Sequence, residues 1–374
     1  MLIVLDESLP VALAADPSHQ NSAAIALDAI ADSARQGNHV ISGAIAVFDS
    51  LIGFQNILGA RTIEILRRSR SKSVLRGELF RHVDWYVRLV DQSQSAAIVK
   101  LHIKQEEIRL PAGLIASTTS LAAPAKFIAE NANDAVFYAR LLAAYTKTSS
   151  TFKQKFPNLK IRYQNAPGGG STTADLYALE KQQKTSFCLA VVDSDQRFPM
   201  GDFGATAKRV LTLDATPSAP SWNCRKHVVD ARTVENIFPK STLLKCAERI
   251  DPQVSEHAKH VIDHHFSAPH WKYIPLKKGI KCFDANKNDG SGQYWRDTLN
   301  IPSCPVHDGN CQRREECITY VIPPISDKLL FEACSVDFSV EIDQHHDANL
   351  LAGVEALSIS IISTFCGDDA MIGE

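Results

Sequence analysis

From Lys126 onward, short apolar runs alternate with helix-patterned stretches, and acidic residues stand where the runs end. Few folds accept that pattern. KFIAE reads as a buried strand closing on Glu130, Asp134 to Tyr145 as a helix, and LKIRY as a second strand. Leu176 to Gln183 reads as a helix, SFCLAVV as a wholly apolar strand, and RVLTL and HVV as two more. Strands alternating with helices build a mostly parallel sheet, and a strand apolar along both faces must be covered on both. The expected class is α/β, with a mostly parallel sheet flanked by helices.

In an open sheet of this kind chemistry collects at the carboxyl ends of the strands. Glu130 ends KFIAE, and Asp193 and Asp195 follow SFCLAVV as Asp-Ser-Asp. Carboxylates at i and i+2 leaving a strand point to the same side, so both can approach one hard cation. Mg²⁺ needs only one or two protein carboxylates and fills its other positions with water and substrate phosphate. A lone acid after a strand is more often a turn or helix cap, and it is the triple arrangement that favours a site. Between these acids lie Gly168, Gly169 and Gly170, followed by Ser171, Thr172 and Thr173. Glycines let a backbone approach a phosphate closely, and the Ser/Thr run can cap a helix. The run is neither a Walker A loop nor a dinucleotide fingerprint, and a plain turn explains it equally well.

The succession FIAENANDAVFYARLL, GGG, AVVDSD and ARTVENIFP resembles the TOPRIM-type catalytic domain of phage-defence nucleases. The nearest in pattern are the OLD-like nucleases and the TOPRIM effector subunit of the PARIS defence system. The resemblance covers about residues 126 to 285. It places Glu130 as the first acid, Asp193 and Asp195 as the Asp-x-Asp pair, and Glu235 with Asn236 as the Glu-Asn pair opening a later helix. Asp134 matches a frequent acid one helical turn after the Glu. Where TOPRIM topoisomerases and primases carry glycine after the first Glu this chain has Asn131, which favours the defence-nuclease branch.

The resemblance implies metal-dependent hydrolysis of nucleic-acid phosphodiester bonds in antiviral defence. Mg²⁺ or Mn²⁺ would be held by Asp193, Asp195 and Glu130, neutralising the phosphate and helping to deprotonate a water. Glu130 could instead be the general base. Glu235 is an outer ligand or a helix N-terminal carboxylate. Gly169 and Gly170 would face the substrate. Lys277 and Lys278, after the expected strand KYIPL, would contact the scissile phosphate or else form a solvated edge. An ATPase partner protein and a homo-oligomer stay open.

Two other functions compete. Asp263-His264-His265 in HVIDHHF resembles the namesake motif of DHH phosphoesterases, with Asp193, Asp195 and Asp230 in the supporting roles. The His that normally precedes that family's Asp pair is missing. His257, His260 and His264, at i, i+3 and i+7, suit a helix face better than a strand. The other competitor is a non-catalytic sensor or docking protein on the TOPRIM fold.

The chain divides into an N-terminal α/β docking or regulatory domain (1–122), the catalytic domain (123–285) and a Cys-containing C-terminal extension (286–374). VLDES and the helix around Asp28 resemble the opening of PIN-type ribonuclease domains. Arg67 to His82 is the most cationic stretch, and PAGLIASTTSLAAPA is the expected linker. Cys304, His307, Cys311 and Cys317 are closely spaced in IPSCPVHDGNCQRREEC, but the tight Cys pairs usual in structural zinc sites are missing, so zinc and free thiols both remain open. Forty Lys+Arg against 42 Asp+Glu exclude binding of nucleic acid by bulk charge and leave that to a local basic face. Nine cysteines, no basic leader, and an apolar stretch at Leu350–Cys366 interrupted by Glu355 point to the reducing cytoplasm and no membrane span.

Overall fold

Five strands form in the first third of the chain: β1 (Leu2–Leu5), β2 (Val40–Gly43), β3 (Trp85–Val90), β4 (Ala97–His102) and β5 (Gln105–Pro111). In the computed structural model, which describes residues 1–102, 105–215, 221–301, 313–336 and 348–370, they make one sheet in the order β2-β1-β3-β5-β4. All neighbours are parallel except the β4–β5 hairpin. The helix Pro17–Arg35 starts where Asp16 accepts hydrogen bonds from the Ser18 and His19 amides, with proline at its first position. It buries Ala23, Ala26, Leu27, Ile30, Ala31 and Ala34, the stripe that a period of 3.6 turns towards a sheet.

The second sheet comes from β6 (Lys126–Ala129), β8 (Gln164–Pro167), β9 (Cys188–Val192) and β10 (Cys224–Val228), in the order β10-β9-β6-β8 and wholly parallel. Every residue of β9 is buried, as its apolar run requires. Three expected strands differ. LKIRY contributes only the short strand β7 (Lys160–Ile161), which pairs antiparallel with Cys366–Gly367, and the strand that enters the sheet begins at Gln164. RVLTL lies inside the helix Ala205–Ala215, which buries Ala207 and Val210. KYIPL is not a strand either. Pro269–Tyr273 is a 3-10 turn, and the Asn236 side chain, not a strand neighbour, donates to the carbonyls of Trp271 and Ile274 at 2.9 and 3.0 Å.

The expected linker is packed. Ala112–Ser117 is helical, and Ile115, Leu121, Ala122 and Ala125 are buried. One apolar cluster runs through both sheets. Trp85 of β3 stacks on Phe187 at 6.1 Å between ring centres, and Arg225 of β10 lies 5.3 Å over the Trp85 ring while pairing with Glu106 at 3.0 Å. The helix Ala348–Phe365 returns to both halves. Its Ser363 hydroxyl accepts from the Asp84 amide at 2.8 Å, and Asp368 beyond it pairs with Arg76 and Lys72. Among the described residues no helix is long and apolar enough to cross a membrane.

Candidate active site

Strands β6 and β9 are neighbours in parallel register, Ala129 opposite Val191, so the residues after them leave the sheet at the same edge. Glu130 follows β6 directly. Asn131 then caps the helix Ala132–Thr148: its amide donates to Asp134 at 2.8 Å in a capping box. The backbone there has φ −133°, which any residue adopts, so the asparagine in place of glycine is explained by capping.

The three glycines fold onto the same strand end. Gly168 N–H donates to the Ala129 carbonyl at 2.7 Å and Gly170 N–H to that of Glu130 at 3.0 Å. Gly169 and Gly170 lie in the left-handed region at φ +71° and +67°, where glycine carries no Cβ penalty. The Asp-Ser-Asp turn is fixed from below. Buried Ser194 donates to the Ala231 carbonyl at 2.7 Å, and the Asp195 amide donates to the Arg232 carbonyl at 2.9 Å. Because β9 ends at Val192, the two aspartates are set by this turn and not by strand alternation: Asp193 is partly enclosed, and Asp195 is exposed at φ +53°. Gly204 donates to the Ser194 carbonyl at 2.8 Å, and a side chain on it would strike that of Asp195.

Glu235 is fully buried in the 3-10 turn Val234–Ile237. Asn236, not Glu235, makes the cap, accepting from the Thr233 amide at 3.1 Å. Lys277 reaches in from solvent to Glu235 at 2.8 Å. Oε2 of Glu235 and Oε1 of Glu130 are buried without a hydrogen-bond partner among the described residues, while Oε1 of Glu235 faces the lysine.

These groups share one electrostatic field. Burial, then Asp195 and Asp134, push the Glu130 carboxyl up to about 7. Burial and then Glu235 push Asp134 up to about 6, although the Asn131 amide pulls against it. Asp193 is driven well above the usual carboxylate range by enclosure of its carboxyl, with Glu235, Glu130 and Asp134 adding to it. Lys277 opposes the rise in all three, and the acids hold its ammonium above the ordinary value in spite of burial. The Tyr138 hydroxyl, buried beneath the acids, is kept protonated by burial and by the same carboxylates. Four carboxylates, those of Glu130, Asp134, Asp193 and Glu235, therefore share one lysine, and Asp195 adds to the field at Glu130. Their hard oxygen donors, two of them without a partner among the described residues, suit Mg²⁺ or Mn²⁺. As the side chains stand, no three His, Cys, Asp or Glu residues among the described ones converge closely enough to hold an ion, so a site there has to be completed by side-chain rotation.

Other expected residues lie elsewhere. Asp263, His264 and His265 form the last turn of the helix Pro252–His265, where Asp263 pairs with Lys240 at 3.3 Å, and none is among the groups that most strongly shift the acids. Asp230 pairs with Lys272 at 2.6 Å. Cys304, His307 and Cys311 fall outside the described residues, while Cys317 is buried beside Cys282. Lys278 lines a cavity of about 190 Å³, shared with Arg197, Arg232, Lys287 and Arg314. Sequence reasoning missed that cavity. Arg232 sat in the quoted run ARTVENIFP and Arg197 two residues past AVVDSD, but nothing in the spacing joins them to Lys287 or Arg314. Arg232 is pulled down to about 10 by burial and then by Arg197, with Asp195 and Asp284 opposing. No family model, curated protein or solved structure matches the chain.

Proposed function

We propose that the chain is a divalent-metal-dependent nuclease of TOPRIM type that hydrolyses phosphodiester bonds of nucleic acid. One observation carries the reading: Glu130, Asp134, Asp193, Asp195 and Glu235, brought from three segments of the chain, act on one another at the carboxyl edge of a parallel sheet, and Lys277 offsets four of them. Carboxylates that serve only a core are paired. Glu130, Asp134 and Asp193, whose proton affinity is raised, are acids of the kind that mark sites awaiting a cation or a proton. The sheet with Glu130 after one strand and Asp-Ser-Asp after its neighbour agrees with the resemblance, on which the antiviral role rests entirely.

Asp193 and Asp195 would hold the ion. A bound Mg²⁺ or Mn²⁺ supplies neutralisation of the phosphate and acidifies a water. Glu130, poised near neutrality, is placed to accept a proton from the attacking water. Lys277 is engaged by buried Glu235 at 2.8 Å, so its ammonium is tied there and does not serve the scissile phosphate. Tyr138 stays a neutral donor beneath the acids.

A second reading, a sensor or docking protein, draws on the absence of three preassembled ligands among the described residues. Incubating single- and double-stranded DNA and RNA with the protein and Mn²⁺, alongside Asp193→Asn, separates the two. Cleavage by the unaltered chain alone supports the nuclease. No cleavage of any substrate by either supports the sensor.

A further inference from the structure

We propose that the cationic cavity beside Asp195 is a receptor for the phosphomonoester end of a nucleic-acid strand. The proposal deepens the nuclease reading and rests on it for the choice of nucleic acid. Arg197, Arg232, Lys278, Lys287 and Arg314 line the cavity, with Asp284 as the one acid on its wall among the described residues. That acid is already satisfied, by Arg314 at 2.9 Å, Lys287 at 3.3 Å and the Lys281 amide at 3.1 Å. Five cations thus meet one anion. Arg314 is further fixed by the carbonyls of Lys278 and Gly279, at 2.9 and 3.2 Å, and Arg232 by that of Tyr273 at 3.3 Å. The side chains of Arg197 and Lys278 make no ion pair among the described residues and are exposed at the mouth. Guanidinium groups held by carbonyls and a carboxylate are preorganised donors for a phosphate, whose oxygens accept charge-assisted bonds.

Size and charge select an end over an internal linkage. An internal phosphodiester carries one charge and drags a sugar on either side through the site. A phosphomonoester carries nearly two charges at neutral pH and has one sugar, which can stay outside. Buried Trp295 lines the cavity too, which fits a pocket more than a through-groove. The pocket is also tied to the acids, because Arg232 accepts the Asp195 amide through its carbonyl while its side chain lines the cavity. A strand seated by its end would present a nearby phosphodiester to Glu130 and Asp193.

The test measures binding apart from cleavage. Full-length protein carrying Asp193→Asn, in EDTA, is titrated by fluorescence anisotropy against three otherwise identical oligonucleotides: 5′-phosphorylated, 3′-phosphorylated and unphosphorylated. One phosphorylated end should bind about tenfold tighter or more than the hydroxyl end, as expected for several charge-assisted bonds. Inorganic phosphate should compete for it. Adding Arg197→Met with Lys278→Met, both exposed and checked by thermal melting, should reduce the phosphorylated strand to the affinity of the unphosphorylated one. Equal binding of all three strands, or a preference that survives the double substitution, overturns the pocket. Mn²⁺-dependent cleavage by the unsubstituted chain without end preference overturns the pocket and leaves the nuclease standing. End preference without cleavage supports the pocket and overturns the nuclease.

Discussion

In the first sheet Asp6 follows β1 and Asp91 follows β3; in the second, Glu130 follows β6 and Asp193 follows β9. The placements match, and the surroundings do not. Asp6 has Arg88 at 3.5 Å, and Asp91 has His19 at 3.1 Å as well as the Ser93 amide at 3.2 Å. Glu107, buried in β5, takes the Tyr86 hydroxyl and Arg88 at 2.7 Å and Arg109 at 2.9 Å. Burial would raise the carboxyls of Asp91 and Glu107, and their hydrogen bonds and cations outweigh it, so both lie below the ordinary range. In the second sheet burial wins. Acids of the first kind hold a fold together, whereas acids of the second kind are kept against the fold's own stability.

The largest expected effect breaks or keeps that contrast at Asp193. Asp193→Asn should lower Mn²⁺-dependent cleavage by more than about 100-fold, since it removes a ligand charge. The thermal midpoint should hold or rise, because an enclosed, repelled carboxylate is gone. Cleavage undiminished at saturating Mn²⁺ would remove Asp193 from the site, and a large fall in midpoint would make it a structural acid like Glu107.

The converse substitution is Glu107→Gln. It removes the buried charge that Arg88 and Arg109 share, leaving Arg88 to Asp6 alone, and should cost about 2 kcal/mol in urea unfolding. Cleavage by the folded fraction should be unchanged. A variant as stable as the parent would show that the first sheet's acids are not structural after all.

VLDES and VVDSD look alike as sequence, which is why the sorting of the acids was not legible there. It depends on Arg88 and His19, which reach their acids only after folding. The apolar run of β9 and the acids closing β6 and β9 were legible because a doubly covered strand leaves little compositional choice. RVLTL was misread because a five-residue apolar run fits a strand and a buried helix turn equally. KYIPL failed for another reason: Asn236 satisfies the carbonyls that a neighbouring strand would have taken. The cationic cavity could not be seen at all, since its residues run from Arg197 to Arg314 and meet only through packing.

A third effect is smaller and follows the raised carboxyls. The folded chain binds protons at Glu130 and Asp134 that the unfolded chain has already lost between pH ~4.5 and ~7. The stability from these groups is therefore fully present below their unfolded values and declines as pH rises to about 7, by on the order of 2 kcal/mol after allowing for solvent at Glu130. Asp91 and Glu107 work in the opposite sense, losing stability as pH falls. Glu130→Gln should flatten the decline of the thermal midpoint between pH 5 and 7.5, and Mn²⁺ should raise the parent's midpoint more at pH 7.5 than at pH 5. Parallel profiles for parent and variant would mean that Glu130 titrates normally.

The smallest effect is expected at His265, which the phosphoesterase reading would make essential. It lies in the last turn of the helix Pro252–His265 with Nδ1 3.0 Å from Nε2 of His270, and burial, then His270, His264 and His260, push it down to about 4. It is neutral at pH 7 and is not among the groups that most strongly shift the acids. His265→Ala should keep cleavage within about twofold and change stability by less than ~1 kcal/mol at pH 7. The folded state resists protonating this ring, so the parent loses stability as pH falls from about 6.5 towards 4, and the variant should lose less over that range. Thermal melts at pH 7 and pH 5, paired with the cleavage assay, read both arms. Abolished cleavage with an unchanged midpoint would make the Asp263-His264-His265 turn a working motif and shift the assignment from the β6–β9 edge to a phosphoesterase centre.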